Sequence, residues 1–540
     1  MKRRYWLAET VLIVVICGVA AHGQTATEEA KEAEKTEQVA RPLAQGVVFH
    51  DANGNEAFDE GERPLPAVRV SNGRDVVTTD ESGRYQLPLD DDTILFVLKP
   101  RGWRTPLSES ELPRFYYIHK PNGSPKTHFG GVAPTGRLPQ SVDFPLYPQE
   151  EPDRFQVILL GDPQPSNQKE VDFLAHDVVE ELIGTKAAFG VTLGDITFDD
   201  LALFEPEART IALLGIPWYN VIGNHDMNYD AKCDRHSDET FEQTFGPPYC
   251  SFDYGPTHFL VLDDVEWFID GKTGKGNYRG GIGEKQLAFI QNDLASVPEE
   301  QLVVLMMHIP ITGVHDRPNV YRLIENRPFC ISISGHTHSH EHRFLTEEDG
   351  WRGPKPHHHI VNVTACGSWW RGSPDERGIP HATMADGGPN GYSILTFDGH
   401  EYTLDYKAAG RSKQYQMQIH APEAVSATEA ANAEVLVNVF NGSQRSTVKM
   451  RLDDGTWIPM KQTAIEDPAF RKAYDADQQL PERPWTDLPK PQKSTHIWAA
   501  PLPADLRIGV HLIQVQTTDM HGREFTARRI LRIVPSAAPE

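Results

Sequence analysis

The chain has 540 residues, too many for one ordinary hydrophobic core, so several domains are expected. Its net charge of -24 excludes a general polyanion binder, because proteins that bind nucleic acid present a basic face. A phosphorylated small molecule stays open, since bound cations invert the local potential whatever the global charge.

The N-terminus has the pattern of an export signal. A basic start, "MKRR", precedes the apolar run "VLIVVICGVAA", which is too short to span a bilayer comfortably, and "AHG" before Gln24 is a small-x-small cleavage site. Residues 1–23 are therefore predicted to be a signal peptide, with an uncleaved membrane anchor as the alternative. The expected location is periplasmic or extracellular. Ile16 is too bulky for Cys17 to be a lipid attachment site. Export permits disulfides. Cys233 and Cys250 flank a polar loop and are the preferred pair, while Cys330 and Cys366 lie in apolar runs as buried thiols or a second bridge. Residues 24–44 are charged and lack aromatics, as expected of a disordered tether.

Residues 45–149 carry short runs such as "GVVF", "VRVSN", "YQLPL" and "TILFVL", broken by Gly, Pro, Asp and Asn, which predicts a small all-β domain. Near its start, Asp51, Asn53, Asn55, Asp59 and Glu62 occupy positions one, three, five, nine and twelve of a loop, the oxygen-ligand spacing of an EF-type calcium loop. Glu56 stands at position six, where that loop wants Gly, and no helical pattern precedes it. The segment resembles the prealbumin-like, calcium-binding B repeats of bacterial surface proteins. That resemblance implies an N-terminal β-sandwich with a structural calcium ion. A turn-rich hairpin with solvated acidic side chains is the other reading.

Residues 150–408 alternate β and α patterns, as an α/β layered domain does. "FQVILL", "FGVTL", "WYNVI", "FLVL", "LVVLMM" and "FCISIS" are the predicted strands. Val171, Leu174, Val178, Val179 and Leu182 recur at helical spacing before Gly184, and "EKQLAFIQNDLASV" is a second amphipathic helix. Residues 409–540 return to alternating β runs, with a Pro-rich interruption between Ile465 and Pro501, and predict a C-terminal β-sandwich.

The chemistry gathers at the ends of the predicted strands. "FQVILL" ends in "GDPQ", "FGVTL" in "GD", "WYNVI" in "GNHD", "LVVLMM" in His308, and "FCISIS" in "GHTHSH". Any one of these could be a plain turn or a core histidine. Together they place Asp162, Gln164, Asp195, Asn224, His308, His336 and His338 at one sheet edge, where ligands of open α/β sheets bind. Such a set, buried without a cation, would repel and bear a desolvation cost. Carboxylate, imidazole and amide oxygen are a ligand mix suited to divalent metals.

This series of motifs resembles the calcineurin-like metallophosphoesterases, over Phe155 to Tyr406. The resemblance implies a four-layer α/β/β/α core with a dinuclear metal centre. Carried over by motif, Asp162 and His338 would bind the first metal and Asp195 would bridge. Asn224, His308 and His336 would bind the second. His225 would stand near the leaving-group oxygen with Asp226 orienting it. His340 and His342 are not covered by the motif and are expected at the surface or behind the ligands. The family's Asp-x-His is here "DPQ", so Gln164 offers an amide oxygen or leaves the position to water. Either way the first site is expected to bind metal less tightly or to favour harder ions such as manganese or magnesium, among the candidates manganese, iron, zinc and magnesium.

The implied reaction is hydrolysis of a phosphodiester or phosphomonoester by a hydroxide that two metals activate, with His225 as proton donor. Trp369, Trp370 and Arg371 are candidate substrate contacts, an aromatic wall and an anion grip, against packing of the tryptophans on the flanking domains. His357 to His359 open a strand with a solvated start. The expected substrate is a small phosphorylated molecule rather than nucleic acid, with envelope or surface association through the β-domains. The alternative is a non-catalytic envelope or binding protein with a degraded core, for which Gln164 is the best argument.

Overall fold

The computed structural model describes residues 41–380 and 382–536. The expected export signal and all of the tether before Arg41 lie outside the described residues. From Leu43 onward the chain forms one compact unit.

Two mixed sheets carry the middle of the chain. In the first, the strands Trp218–Val221, Phe189–Leu193 and Arg154–Leu160 run parallel, and Gly391–Asp398 and Glu401–Ala408 complete the sheet antiparallel. In the second, Thr257–Val261, Leu302–Met306, Cys330–Ser334 and His357–Val361 run parallel, with Cys250–Tyr254 and Glu341–Leu345 antiparallel at the edges. These parallel strands are near-continuous apolar runs because both faces are covered. Parity shows how: Val157 and Leu159 join the cluster that holds Leu260 and Val304, whereas Ile158 and Leu160 join Val178, Leu182 and Ile211 of the helices. All six strands expected here form, within a residue or two of their runs.

The first predicted helix forms over Gln168–Leu174, opened by the Asn167 side chain on the Glu170 amide, and continues to Leu182 through a π-helical turn at Ala175–Val179. The second forms over Gly283–Leu294 and buries Phe289 and Ile290.

The N-terminal region builds two sheets, one around Leu43–His50 and Phe144–Pro148, the other around Arg69–Ser71 and Thr93–Val97. Its core residues Val48, Val70, Leu95 and Phe144 belong to the same buried cluster as the central strands. Polar contacts reinforce that join. Arg69 pairs with Asp253 at 2.8 Å and Asp293 at 2.6 Å, and buried His258 bonds both carboxylates at 2.7 and 2.9 Å. The five side chains of the EF-spaced loop turn inward. Asp51 accepts the Gly54 and Glu56 amides and the Tyr147 hydroxyl, Asn53 and Asn55 donate to Asp59, and Glu62 accepts the Ala52 and Asp59 amides. Glu56 itself has φ 60°, the left-handed conformation for which position six normally needs Gly.

The C-terminal region also forms two sheets, with Val437, Met450, Trp498, Val515 and Leu531 between them. The Pro-rich stretch is more regular than its composition suggested. It holds the helix Pro468–Gln478, capped by Asp467 with Pro468 in its first turn, and the strand Lys493–Pro501.

Three expectations change. All four described cysteines are free: Cys233 is exposed in a turn, while Cys250 opens a strand and is buried opposite Val261, so the preferred bridge does not form. His357 to His359 are not a solvated strand start but a buried strand, with Ser332 hydrogen-bonded to His357 and His359. Of the two places expected for His340, the surface is excluded, because it is fully buried. It and His342 both bond Asn441 of the C-terminal region, at 2.9 and 2.8 Å, and His342 meets His358 at 2.9 Å. Asn441, half-buried, also donates to the Leu404 carbonyl.

Candidate metal centre

Each expected ligand sits just beyond a strand end, where the backbone turns sharply. Asp162, Gln164, Asp195, His336 and His338 all have positive φ, between 41° and 75°. Non-glycine residues rarely adopt that conformation, and strain of this kind concentrates at functional sites. Two motif glycines are there for room. A Cβ on Gly223 would lie 2.0 Å from the Asp195 amide nitrogen, and one on Gly335 would lie 2.4 Å from an Asp162 carboxylate oxygen.

The second half of the expected ligand set converges on one atom. His308 Nε2 lies 3.1 Å from Asn224 Oδ1, 3.2 Å from Asp195 Oδ1 and 3.1 Å from His336 Nδ1. His308 Nδ1 is 2.9 Å from the Leu193 carbonyl, so that nitrogen carries the proton of the neutral ring and Nε2 is left with a lone pair. A lone pair facing an amide oxygen and a carboxylate is stable only if something positive stands among them. Asp195, His308 and His336 form a group able to hold a metal ion.

The first half lies beside it. His338 Nδ1 is 2.6 Å from the Gly367 carbonyl, which leaves its Nε2 as acceptor, 3.7 Å from Asp162 Oδ1. Gln164 donates its amide to Asp195 Oδ2 at 3.0 Å, and its buried Oε1 has no hydrogen-bond partner. An orphaned buried acceptor beside two carboxylates suits a cation. Asp195 thus stands between the halves, with Oδ1 toward His308 and Oδ2 toward Gln164.

Without an ion a proton fills that place: burial opposes charging of His308, yet Asp195 overrides it and lifts the ring to about 10, so Nε2 holds a proton that a metal ion would displace. Burial, with the like charge of Asp195 added, raises Asp162 to about 8. Burial lowers His336 to about 3 and His338 to about 4, so both rings are neutral at pH 7, the form in which imidazole can bind a metal. These residues fit divalent metal ions.

The role expected of Asp226 does not match its contacts. Its carboxylate accepts the backbone amides of Ile196, Thr197 and Gly223 at 2.8–3.1 Å, which staples the "GD" and "GNHD" turns together. His225 is instead held by Asp199, at 2.6 Å from Nδ1, with Phe198 stacked on its ring at 4.5 Å. Burial works against the charge on His225, but the Asp199 hydrogen bond raises it above the ordinary range. Asp199 was not among the expected site residues. The signal was its place in "GDITFDD", four residues beyond Asp195; in the structure it has a positive φ of 64°. Asp264 was also missed: it accepts the His308 and Ile309 amides at 3.0 and 3.1 Å and so fixes the turn that aims His308.

The candidate substrate contacts separate. Trp369 stacks on His338, ring centres 4.0 Å apart, and Arg371 lies 5.0 Å over Trp369. Both therefore adjoin the ligands. Trp370 is buried, donates to the Pro163 carbonyl and packs against Phe173, so it is a wall behind the site rather than a contact within it. A second acid–histidine group, Asp92, His236 and Glu239, is also close enough to hold an ion. Its charge is met by Lys120, which pairs with Asp92 at 2.7 Å and with Glu239.

Comparison with known proteins adds to this geometry. Residues 155–340 match the family model described as calcineurin-like phosphoesterase. Residues 52–132 and 359–525 match the models for the N-terminal and C-terminal parts of calcineurin-like phosphoesterase. A protein of Arcobacter nitrofigilis named "Probable glycerophosphodiester phosphodiesterase GpdQ" is 27% identical over 125 residues, 22% of this chain and 40% of that protein. The purple acid phosphatase PPD1 from yellow lupin (Lupinus luteus) seeds gives a TM-score of 0.34 at 14% identity, covering 68% of this chain and 72% of that one. CopC from Methylosinus trichosporium OB3b gives 0.14 at 11%, covering 23% and 95%. Both structural likenesses are too low to bear on fold or site.

Proposed function

We propose, from the premise that this chain belongs to the calcineurin-like phosphoesterases, that it is an exported dinuclear hydrolase of small organic phosphodiesters or phosphomonoesters. That it hydrolyses phosphoric esters with divalent metal ions follows from the family. The dinuclear centre, the ester class and export are our reading. A four-layer α/β/β/α core with flanking sandwiches belongs to that reading too, supported by the paired sheets and the helices on the outer face of one of them.

The observation that carries the reading is His308 Nε2 facing three ligand atoms within 3.2 Å while its other nitrogen is bonded to a carbonyl. Asp162, Gln164, Asp195 and His338 would hold one ion, and Asp195, Asn224, His308 and His336 the other. Such ions, when bound, acidify water and neutralise the phosphoryl oxygens. The chain's own residues do the rest. Asp199 holds the imidazole of His225 in one orientation, so that its other nitrogen delivers a proton to the departing alkoxide. Trp369 and Arg371 border the first site and offer a stacking face and a guanidinium to the substrate. The Arcobacter relative's printed name supports a glycerol-type diester as one candidate. Calcium in the Asp51–Glu62 loop is a further part of this reading, supported by the spacing of its oxygen side chains and by Asn53 and Asn55 meeting Asp59.

The test is hydrolysis of bis-p-nitrophenyl phosphate against p-nitrophenyl phosphate. Chelated protein is reloaded separately with manganese, zinc, magnesium and iron, and Asn224→Ala and His336→Ala serve as blanks. Activity with an ion that both blanks lose supports the centre and identifies the preferred ester. Folded protein inactive with every ion would favour the binding-protein alternative.

A further inference from the structure

On the His336 side the metal centre opens into a cleft of about 380 Å³ that no role above uses. Tyr278 stands at its inner end, edge-on to the His336 ring with centres 6.3 Å apart. Ile309, Pro310 and Thr312 line one wall, and Thr337 and Arg343 complete it.

The walls are built and tied. Tyr278 lies on the hairpin of Val265–Ile269 and Gly276–Gly280. Gly280 bridges to Val314, and its carbonyl accepts the His315 amide at 2.9 Å; a Cβ on Gly280 would lie 2.7 Å from the Gly313 carbonyl oxygen. Glu266 clamps the hairpin from both sides, through Arg279 at 2.6 Å and His315 at 2.7 Å. Tyr229 joins the hairpin to the "GNHD" turn: its ring meets Trp267 at 5.2 Å and its hydroxyl donates to the Asn224 carbonyl at 2.7 Å.

Arg343 is the single charged side chain among the residues that line the cleft. Its Nε donates to Glu341 at 2.8 Å and its Nη1 to Thr312 at 2.8 Å, so the plane of the guanidinium is fixed. Two of five N–H groups are thereby used, and both hydrogens of Nη2 and one of Nη1 are left for a ligand. A planar guanidinium matches a carboxylate or phosphate by two parallel hydrogen bonds. A volume near the lower end of the roughly 300–1,000 Å³ of small-molecule sites takes a short alcohol and not a polymer.

We propose that this cleft is the subsite for the organic substituent of the substrate phosphodiester, and that it selects a small alcohol bearing an anionic group, carboxylate or phosphate, which Arg343 binds. The proposal rests on the reading of the metal centre as the reacting site. It goes beyond it by giving the substituent a place and a charge.

The test uses metal-loaded full-length protein and three synthetic diesters of equal chain length: p-nitrophenyl butyl, p-nitrophenyl 3-carboxypropyl and p-nitrophenyl 3-phosphonopropyl phosphate. Nitrophenolate release gives kcat and KM for each. The wild type is expected to prefer an anionic ester over the butyl ester by about tenfold or more in kcat/KM, carried by KM. Preference for the phosphonate over the carboxylate assigns the anion as phosphate, and the reverse as carboxylate. Arg343→Met is expected to collapse the anionic-to-butyl ratio about 10–100-fold, the value of one charge-assisted contact, and Arg343→Lys to restore part of it. Equal kcat/KM for all three esters in the wild type overturns the proposal, whether or not the variants fold. So does a ratio that survives Arg343→Met. Asn224→Ala separates the two readings: if it loses hydrolysis of all three esters while the Arg343 ratio holds, only the subsite falls; if it loses none, the metal-centre reading falls with it.

Discussion

Replacing Asp199 by Asn keeps the shape of its side chain and removes its charge. The structure gives the quantities needed to size the effect. The Asp199–His225 contact is 2.6 Å long, so it is a good charge-assisted hydrogen bond, and the His225 side chain is 23% exposed. Asp199 itself is 48% exposed, and water weakens the pair. Of the roughly 1.5–3 kcal/mol such bonds contribute, the lower end applies. About 1.5 kcal/mol corresponds to about tenfold in rate. His225→Ala removes the proton donor outright and should cost about 10²–10⁴-fold. Both losses should appear with an alkyl phosphodiester, whose alkoxide leaves poorly without a proton. Both should nearly vanish with bis-p-nitrophenyl phosphate, whose nitrophenolate needs none. The assay is steady-state kcat on the two esters in manganese-loaded enzyme. The reasoning is refuted if His225→Ala is as active as wild type on the alkyl ester, or if Asp199→Asn is as damaging as His225→Ala on both.

Other outcomes follow from single contacts. Gly223→Ala puts a Cβ 2.0 Å from the Asp195 amide nitrogen and should abolish activity and lower bound metal per chain, measured by elemental analysis. Arg69→Met leaves Asp253 and Asp293 short of a cation at a largely buried site and should destabilise the fold by about 3–5 kcal/mol in urea titration. Burial works against the charge on His258, but Asp293 and Asp253 raise its pKa above 6.5. Its contribution is therefore full below pH 6.5 and is lost as pH rises through the raised value, so His258→Gln should lose its stability deficit on the alkaline side. Thiol titration of native protein without reductant should find Cys233 reactive, with no mass change on reduction.

What the sequence determined was the local chemistry. Apolar runs ending in Gly-Asp, Gly-Asn-His-Asp and Gly-His-Thr-His made the strands and their ligand-bearing ends legible, because strand periodicity and the need for glycine beside a ligand are both encoded within a few residues. The tertiary structure decided whatever depends on which distant segments meet. The motif pointed to Asp226 as the partner of His225; the path of the turn after Leu193 instead puts Asp199 on the ring and Asp226 on three amides. The histidines beyond the metal motif could be placed only as surface residues or residues behind the ligands, because the motif does not cover them. His340 is buried and His342 half-buried, and Asn441, about a hundred residues away, accepts from both. The cleft beside His336 has the same origin: its walls come from a hairpin, a loop and an edge strand, and Arg343 acquires a direction only where Glu341 and Thr312 hold it. A charge or a ligand can be read from a residue's type, but its partner cannot, because burial and pairing are properties of the packed chain.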